Sequence, residues 1–288
     1  MIIDLHAHTS KHELFNLHTA TASIATLENE ARQNGVSTIV LMATYFPLKG
    51  TGVHNADLLE RIRGRPLFKM FGSLDVMNHL DSGLRELEDL AKAGSIAGIK
   101  LYPGYQGFAP DEQRIYAIYD LAQKYHLPVM LHGGDLHPCC FTPAKKDSVL
   151  PCGAKVCQLD KYLGMARPKH VKKPARDFPD VKFVVSHLAN PYFAELREVM
   201  TQCPNVFTDI SGQFISGSPD NTEDYRRIVV SEIRQFLKLP DGIGRIMFAT
   251  DFPIQSYKDS LDLVLSLRLS APELECVLAL NAQKVLSK

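Results

Sequence analysis

The chain has 288 residues, 45% of them hydrophobic and 22% charged, with 32 basic residues balancing 32 acidic ones. This is the composition of a globular protein able to bury a full core. The zero formal charge argues against nucleic acid as a partner, because phosphate neutralisation takes a basic surplus, and it gives no support to docking on an anionic membrane.

No run of about 18 apolar residues offers a transmembrane helix. Met1 leads straight into a strand, with no basic region and apolar stretch of a signal peptide. The expected location is therefore the cytoplasm, and the six cysteines are expected to be reduced thiols.

In chain order, Ile2 to His6 reads as the first strand and Thr26 to Asn34 as a helix stopped by Gly35. Strands follow at Ser37 to Met42 and within Pro66 to Leu74, then a helix from Leu80 to Ala93. The strand Ala97 to Leu101 precedes a helix from Asp111 to Tyr125, and Pro128 to His132 is the fifth strand. Val181 to His187, Val206 to Ile210 and Arg245 to Ala249 complete eight strands. Helices are expected at Pro191 to Thr201, Tyr225 to Leu237, Ser256 to Leu267 and Pro272 to Leu286. Apolar strands alternating with helices imply a parallel sheet. Eight such units predict a (β/α)8 TIM barrel spanning 1–288 as one domain, with a doubly wound open sheet as the alternative. Two stretches exceed a minimal barrel: Thr44 to Arg63, and an insertion after strand five at about 133–173, read as a lid or subdomain.

The polar residues at strand ends carry the chemistry. His6 and His8 sit two apart on a strand and so share a face, and paired imidazoles make half of a transition-metal site. Lys100, His132 and His187 end the fourth, fifth and sixth strands, and Asp251 follows the eighth. Strand C-termini of a parallel barrel converge on one face, where catalytic sites lie. Each residue has an ordinary structural explanation, such as an Asx-turn for Asp251. Three imidazoles and a carboxylate on one face suit a divalent ion with an open coordination position.

With those residues in view, the chain resembles the amidohydrolase superfamily, in its amidohydrolase family 2 branch of aminocarboxymuconate-semialdehyde decarboxylase-like enzymes. The matching stretches run from Asp4-Leu-His-Ala-His8 through Gly98-Ile-Lys-Leu-Tyr-Pro103 and Val129-Met-Leu-His-Gly133. They continue through Phe178 to His187, Asn205-Val-Phe-Thr-Asp-Ile-Ser-Gly212, Thr250-Asp-Phe-Pro253 and Asn281 to Leu286. The resemblance implies that His6, His8, His132 and Asp251 hold a metal, zinc being favoured over Mn or Fe. It leaves His187 as an acid/base beside one ion, or as ligand of a second ion bridged by a carbamylated Lys100. One ion is favoured over two.

The expected activity is hydrolysis of an amide, ester or lactone carbonyl of a small molecule through a metal-activated water. Asp251 would accept the water's proton, and His187 would orient the water or protonate the leaving group. Lys100, Tyr102, Tyr105 and Gln106 are the candidate substrate contacts, against simple loop packing. The alternatives are a non-oxidative decarboxylase of an unsaturated or aromatic acid, a metal-dependent phosphoesterase, and an inert barrel serving as a binding module. The phosphoesterase resemblance wants a late Asp-x-His, whereas Asp251 is followed by Phe252 and Pro253. Cys139, Cys140, Cys152 and Cys157 fall in the insertion; a structural zinc site is one reading, reduced thiols in a lid the favoured one. Whether the chain forms a homo-oligomer is left open.

Overall fold

Eight parallel strands pair in strict sequence order, β1 (Ile2–Ala7), β2 (Val36–Met42), β3 (Phe68–Gly72), β4 (Gly98–Leu101), β5 (Val129–Leu131), β6 (Phe183–Val185), β7 (Val206–Asp209) and β8 (Ile246–Met247). The computed structural model describes residues 1–14, 17–48, 52–136 and 159–287. β1 meets the far edge of the sheet through Leu5 N to Phe248 O (3.3 Å), Asp251 N to His6 O (2.7 Å) and His8 N to Phe252 O (2.8 Å). That junction makes a barrel of the sheet and excludes the open doubly wound alternative. It also sets Asp251 beside the two histidines of β1.

Helices cover the outside. Ser23, Thr222 and Ser256 cap α1 (Ile24–Asn34), α7 (Glu223–Leu237) and α8 (Tyr257–Ser266) by accepting a backbone N–H of the first turn. Gly35, at φ 68°, ends α1 in the left-handed conformation that lacks a Cβ penalty. Of the two stretches that exceed a minimal barrel, 44–63 supplies α2 (Asn55–Ile62), and the described end of the insertion carries two 3-10 turns that lead into α5 (Lys172–Asp177). α3 (Leu80–Lys92) and α6 (Phe193–Gln202) fall where periodicity places them, whereas α4 (Tyr116–Lys124) starts five residues after Asp111, behind a 3-10 turn at Gln113–Ile115. The last predicted helix is divided by a π-helical turn, Cys276–Leu280. Among the described residues no helix is long and apolar enough to cross a membrane. The four insertion cysteines, Cys139, Cys140, Cys152 and Cys157, lie outside the described residues.

The strands carry a layer of apolar side chains with a polar layer above it. Val40, Met42, Met130, Val184, Phe207 and Met247 belong to one buried cluster, with Ala282 and Val285 of the C-terminal helical segment. Met130, Val184 and Phe207 are in direct register across β5, β6 and β7. Side chains alternate faces along a strand, so His132, Ser186 and Asp209, two residues further on, continue the same inner face. The register that aligns the core therefore aligns the polar layer as well.

Candidate metal centre and cavity

Asp4 fastens the entry of the site. Its carboxylate accepts Thr250 N (3.1 Å), the Thr250 hydroxyl (2.7 Å) and His6 N (3.1 Å), tying β1 to the segment that follows β8. Burial pushes its carboxyl up to about 7, against hydrogen bonds that pull it down. The next residue, Asp251, adopts φ 54°, a conformation a non-glycine residue rarely takes, which leaves its carboxylate facing His6 and His8.

There the Nε2 atoms of His6 and His8 stand 3.2 Å apart, and Asp251 Oδ1 lies 3.6 Å from the first and 3.0 Å from the second. A tetrahedral ion with bonds of about 2.1 Å separates its ligand atoms by about 3.4 Å. The three atoms thus form a triangle of the size one ion needs. When both rings carry their proton on Nδ1, the two Nε2 atoms, one buried and one half-buried, join the carboxylate oxygen in turning lone pairs toward one point, as the ligands of an ion do. Burial, aided by the Lys100 charge, pushes His6 down to about 3, so it is neutral and able to ligate. Burial opposes ionisation of Asp251, yet the His8 contact and the other imidazoles outweigh it and hold the carboxyl well below its ordinary range. The residues present fit a divalent ion.

His187 comes in from a strained turn rather than from the strand end. β6 stops at Val185, and His187, Leu188 and Ala189 follow with φ of 63°, 52° and 53°. Such residues cost about 1–3 kcal/mol each and cluster where function demands them. The turn is held because His187 N donates to Asp209 Oδ1 (3.0 Å) and its carbonyl accepts Gln213 Nε2 (2.8 Å). Its ring centroid lies 5.0 Å from that of His6 and 5.1 Å from that of His132. Burial lowers the pKa of His187 and lowers that of His132 further, with His187 and Lys100 adding to the latter.

A second convergent set, His6, His187 and Asp209, gathers behind the first. Ser211 Oγ occupies its middle, 3.2 Å from His6 Nδ1, 2.9 Å from His187 Nδ1 and hydrogen-bonded to Asp209 Oδ1. A hydroxyl fills the position an ion would take. Burial works against the Asp209 carboxylate, but hydrogen bonds from His6 and Ser211 and the nearby imidazoles keep it well below its ordinary pKa. Asp209 and Ser211 went unassigned in the sequence reading. The available signal was Phe207-x-Asp209, the same apolar-x-polar strand ending as Met130-x-His132.

The remaining candidates divide. A cavity of about 710 Å³ is lined by His6, His8, His132, His187 and Asp251 together with Lys100, Tyr102 and Tyr105. His132 borders it, but its Nε2 lies 3.0 Å from Asp135 O, and it joins neither convergent set. Lys100 lies within β4, buried, donating to Ser186 Oγ (2.8 Å) and 5.2 Å above the Tyr102 ring. Burial pushes it down to about 8, with Asp209 and Asp251 resisting. Tyr102 gives its hydroxyl proton to Ala43 O (2.9 Å), so it offers the cavity a ring. Gln106 is outside the cavity lining: its amide bonds Tyr45 O, Leu74 O and Tyr102 N, closing the loop after β4.

Buried neutral imidazoles predict an acid-sensitive fold. A His6 pKa moved from 6.5 to about 3 means unfolding takes up a proton below pH 6.5, so its stabilisation is lost as pH falls. Between pH 7.5 and pH 5 this one group removes about 2 kcal/mol. His132 and His187 act with the same sign. Asp4, raised to about 7, opposes them, because its stabilisation is present at low pH and lost as pH rises through 7. Asp4 offsets about as much as His6 removes, so His132 and His187 decide the balance, and stability should fall on acidification. Urea unfolding of metal-free protein at the two pH values checks this; equal or greater stability at pH 5 would contradict it.

An eight-stranded parallel barrel whose strand ends bring imidazoles and a carboxylate to one cavity defines a class of divalent-metal enzymes. The amidohydrolase family model matches residues 3–288, and the chain belongs to that family. A curated relative, uncharacterized protein y4mH of Sinorhizobium fredii (strain NBRC 101917 / NGR234), is 33% identical over 98 residues. That match spans 31% of this chain and 31% of the relative, so the chain covers about a third of its length. Among solved structures, the fold is similar to that of a probable 2-pyrone-4,6-dicarboxylic acid hydrolase from Acinetobacter baumannii, with citric acid bound. Identity there is 14%, coverage 99% of this chain and 98% of the other, and the TM-score 0.67. A dihydroxybenzoic acid decarboxylase from Polaromonas sp. JS666, with bound manganese and the inhibitor 2-nitroresorcinol, is 15% identical. It matches over 99% and 96% of the two chains with a TM-score of 0.67.

Proposed function

We propose that the protein is a divalent-metal-dependent hydrolase of a small-molecule amide, ester or lactone, with one ion held by His6, His8 and Asp251. The observation that carries this reading is the triangle of His6 Nε2, His8 Nε2 and Asp251 Oδ1, with edges of 3.2, 3.6 and 3.0 Å. His132, on the same cavity, is the fourth candidate ligand once its ring leaves Asp135 O. A bound ion supplies Lewis acidity, which polarises a carbonyl and lowers the pKa of a nearby water.

The protein's own groups do the rest. His187 faces Ser211 O, an acceptor, through Nδ1 at 3.2 Å, so a neutral His187 carries its proton on Nδ1 and leaves Nε2 free. It therefore takes a proton from the nucleophile first and returns it to the leaving group afterwards. The Tyr102 and Tyr105 rings give the substrate an apolar wall. Ser211 Oγ at the centre of the second convergent set favours one ion over two.

Non-oxidative decarboxylation of an unsaturated or aromatic acid is the second reading. Lys100 favours it: a buried ammonium bordering the cavity, with no carboxylate in salt-bridge contact among the described residues, suits an anionic substrate. Assays with p-nitrophenyl esters and lactones, run beside carbon dioxide release from hydroxybenzoates, separate the two. Elemental analysis of protein purified without added metal should find about one equivalent per chain. His6→Ala should lose it along with turnover; unchanged metal content in that variant would sink the site.

A further inference from the structure

The network behind the proposed metal centre is polarised in one direction. Asp209 Oδ1 accepts three hydrogens, from His187 N (3.0 Å), Ser211 N (3.0 Å) and the Ser211 hydroxyl. Ser211 has a single hydroxyl proton and gives it to Asp209. Toward His6 Nδ1 and His187 Nδ1, at 3.2 and 2.9 Å, the oxygen can then only accept. The other groups facing those nitrogens are acceptors too: Asp209 Oδ2, 3.4 Å from His6 Nδ1, and Ser211 O, 3.2 Å from His187 Nδ1. Asp209 Oδ2 has no hydrogen-bond partner of ordinary geometry among the described residues, so its demand for a donor falls on His6. Asp209 is wholly buried, and an unpaired carboxylate there would be costly.

We propose that Asp209, acting through Ser211, is the positioning residue shared by His6 and His187, holding the proton on Nδ1 of both rings and leaving both Nε2 atoms unprotonated. One buried carboxylate thereby prepares a ligand on β1 and the proton-transfer group of the turn after β6. The same carboxylate accepts His187 N and so fixes the left-handed turn that carries the ring. What the two Nε2 atoms then do rests on the metal reading above; the tautomers themselves do not.

The test is long-range proton–nitrogen NMR of histidine-labelled, metal-free protein at neutral pH, followed by titration with zinc alone. In the wild type both His6 and His187 should be Nδ1–H tautomers. In Asp209→Asn the amide presents an N–H where the carboxylate accepted. His6 should shift toward the Nε2–H tautomer, and zinc affinity should fall by about 10- to 100-fold, the usual effect of losing such an outer partner. A merely structural role would lower stability without moving the tautomer. A wild-type His6 or His187 in the Nε2–H form overturns the proposal, and does so even if Asp209→Asn fails to fold. So does an Asp209→Asn protein with unchanged tautomers. Wild-type protein that shows both Nδ1–H tautomers yet takes up no zinc removes the metal reading and leaves the positioning role standing.

Discussion

Gly212→Ala should empty the site while leaving the barrel folded. A Cβ at this position would lie 2.8 Å from His187 Nδ1, closer than side chains tolerate, and at a tight 3.0 Å from Asp251 Oδ2, with the backbone at φ 59°. The His187 ring is held at Nδ1 by Ser211 Oγ and O, and the Asp251 carboxylate by His8, so moving either aside gives up those contacts. The methyl therefore displaces a proposed ligand and the proton-transfer ring together. Misplacement of about 1 Å costs on the order of 100-fold in rate, so turnover should fall at least that far, with metal retention reduced. Backbone strain adds about 1–3 kcal/mol of destabilisation. Gly35→Ala is the control, because Gly35 has φ 68° but nothing within 4 Å of the added carbon. It should show the backbone cost alone. If Gly212→Ala keeps full metal and turnover, the two side chains do not work from the positions described.

How far the site could be read in advance follows from which interactions are local. The His6-x-His8 pair, the apolar strands and their order are pattern, and the barrel turned that pattern into proximity. Asp251 was visible as a carboxylate after the last strand, but its turn toward β1 depends on Asp4, some 250 residues away in sequence, gripping Thr250. His187 was visible as a strand-ending histidine, yet β6 stops two residues earlier and the ring arrives through three left-handed residues that no propensity favours. That conformation exists because Asp209 and Gln213 hold it from the next strand and loop. Asp209 obeys the same alternation as His132, but between Thr208 and Ile210 it reads as strand interior rather than as a strand end. Gln106 shows the opposite error: a polar residue on the right loop whose hydrogen bonds are all spent on backbone.

His187→Asn should separate the ion from the proton transfer. Asparagine tolerates the left-handed backbone that His187 occupies at φ 63°, so the turn and its bond to Asp209 survive. The shorter amide cannot carry a proton at neutral pH. Removing a positioned acid/base group costs about 10²- to 10⁴-fold in rate. The three atoms of the proposed ion site, His6 Nε2, His8 Nε2 and Asp251 Oδ1, do not include His187, so the variant should keep about one equivalent of metal. Its kcat/KM should lose the acid limb that a neutral His187 base imposes, a limb lying below the ordinary histidine range because burial lowers that pKa. Loss of a second metal equivalent would instead mean that His187 ligates an ion and that the Ser211 hydroxyl moves aside to admit it. Wild-type turnover in this variant would remove His187 from the chemistry and leave Asp251 as the group to test next.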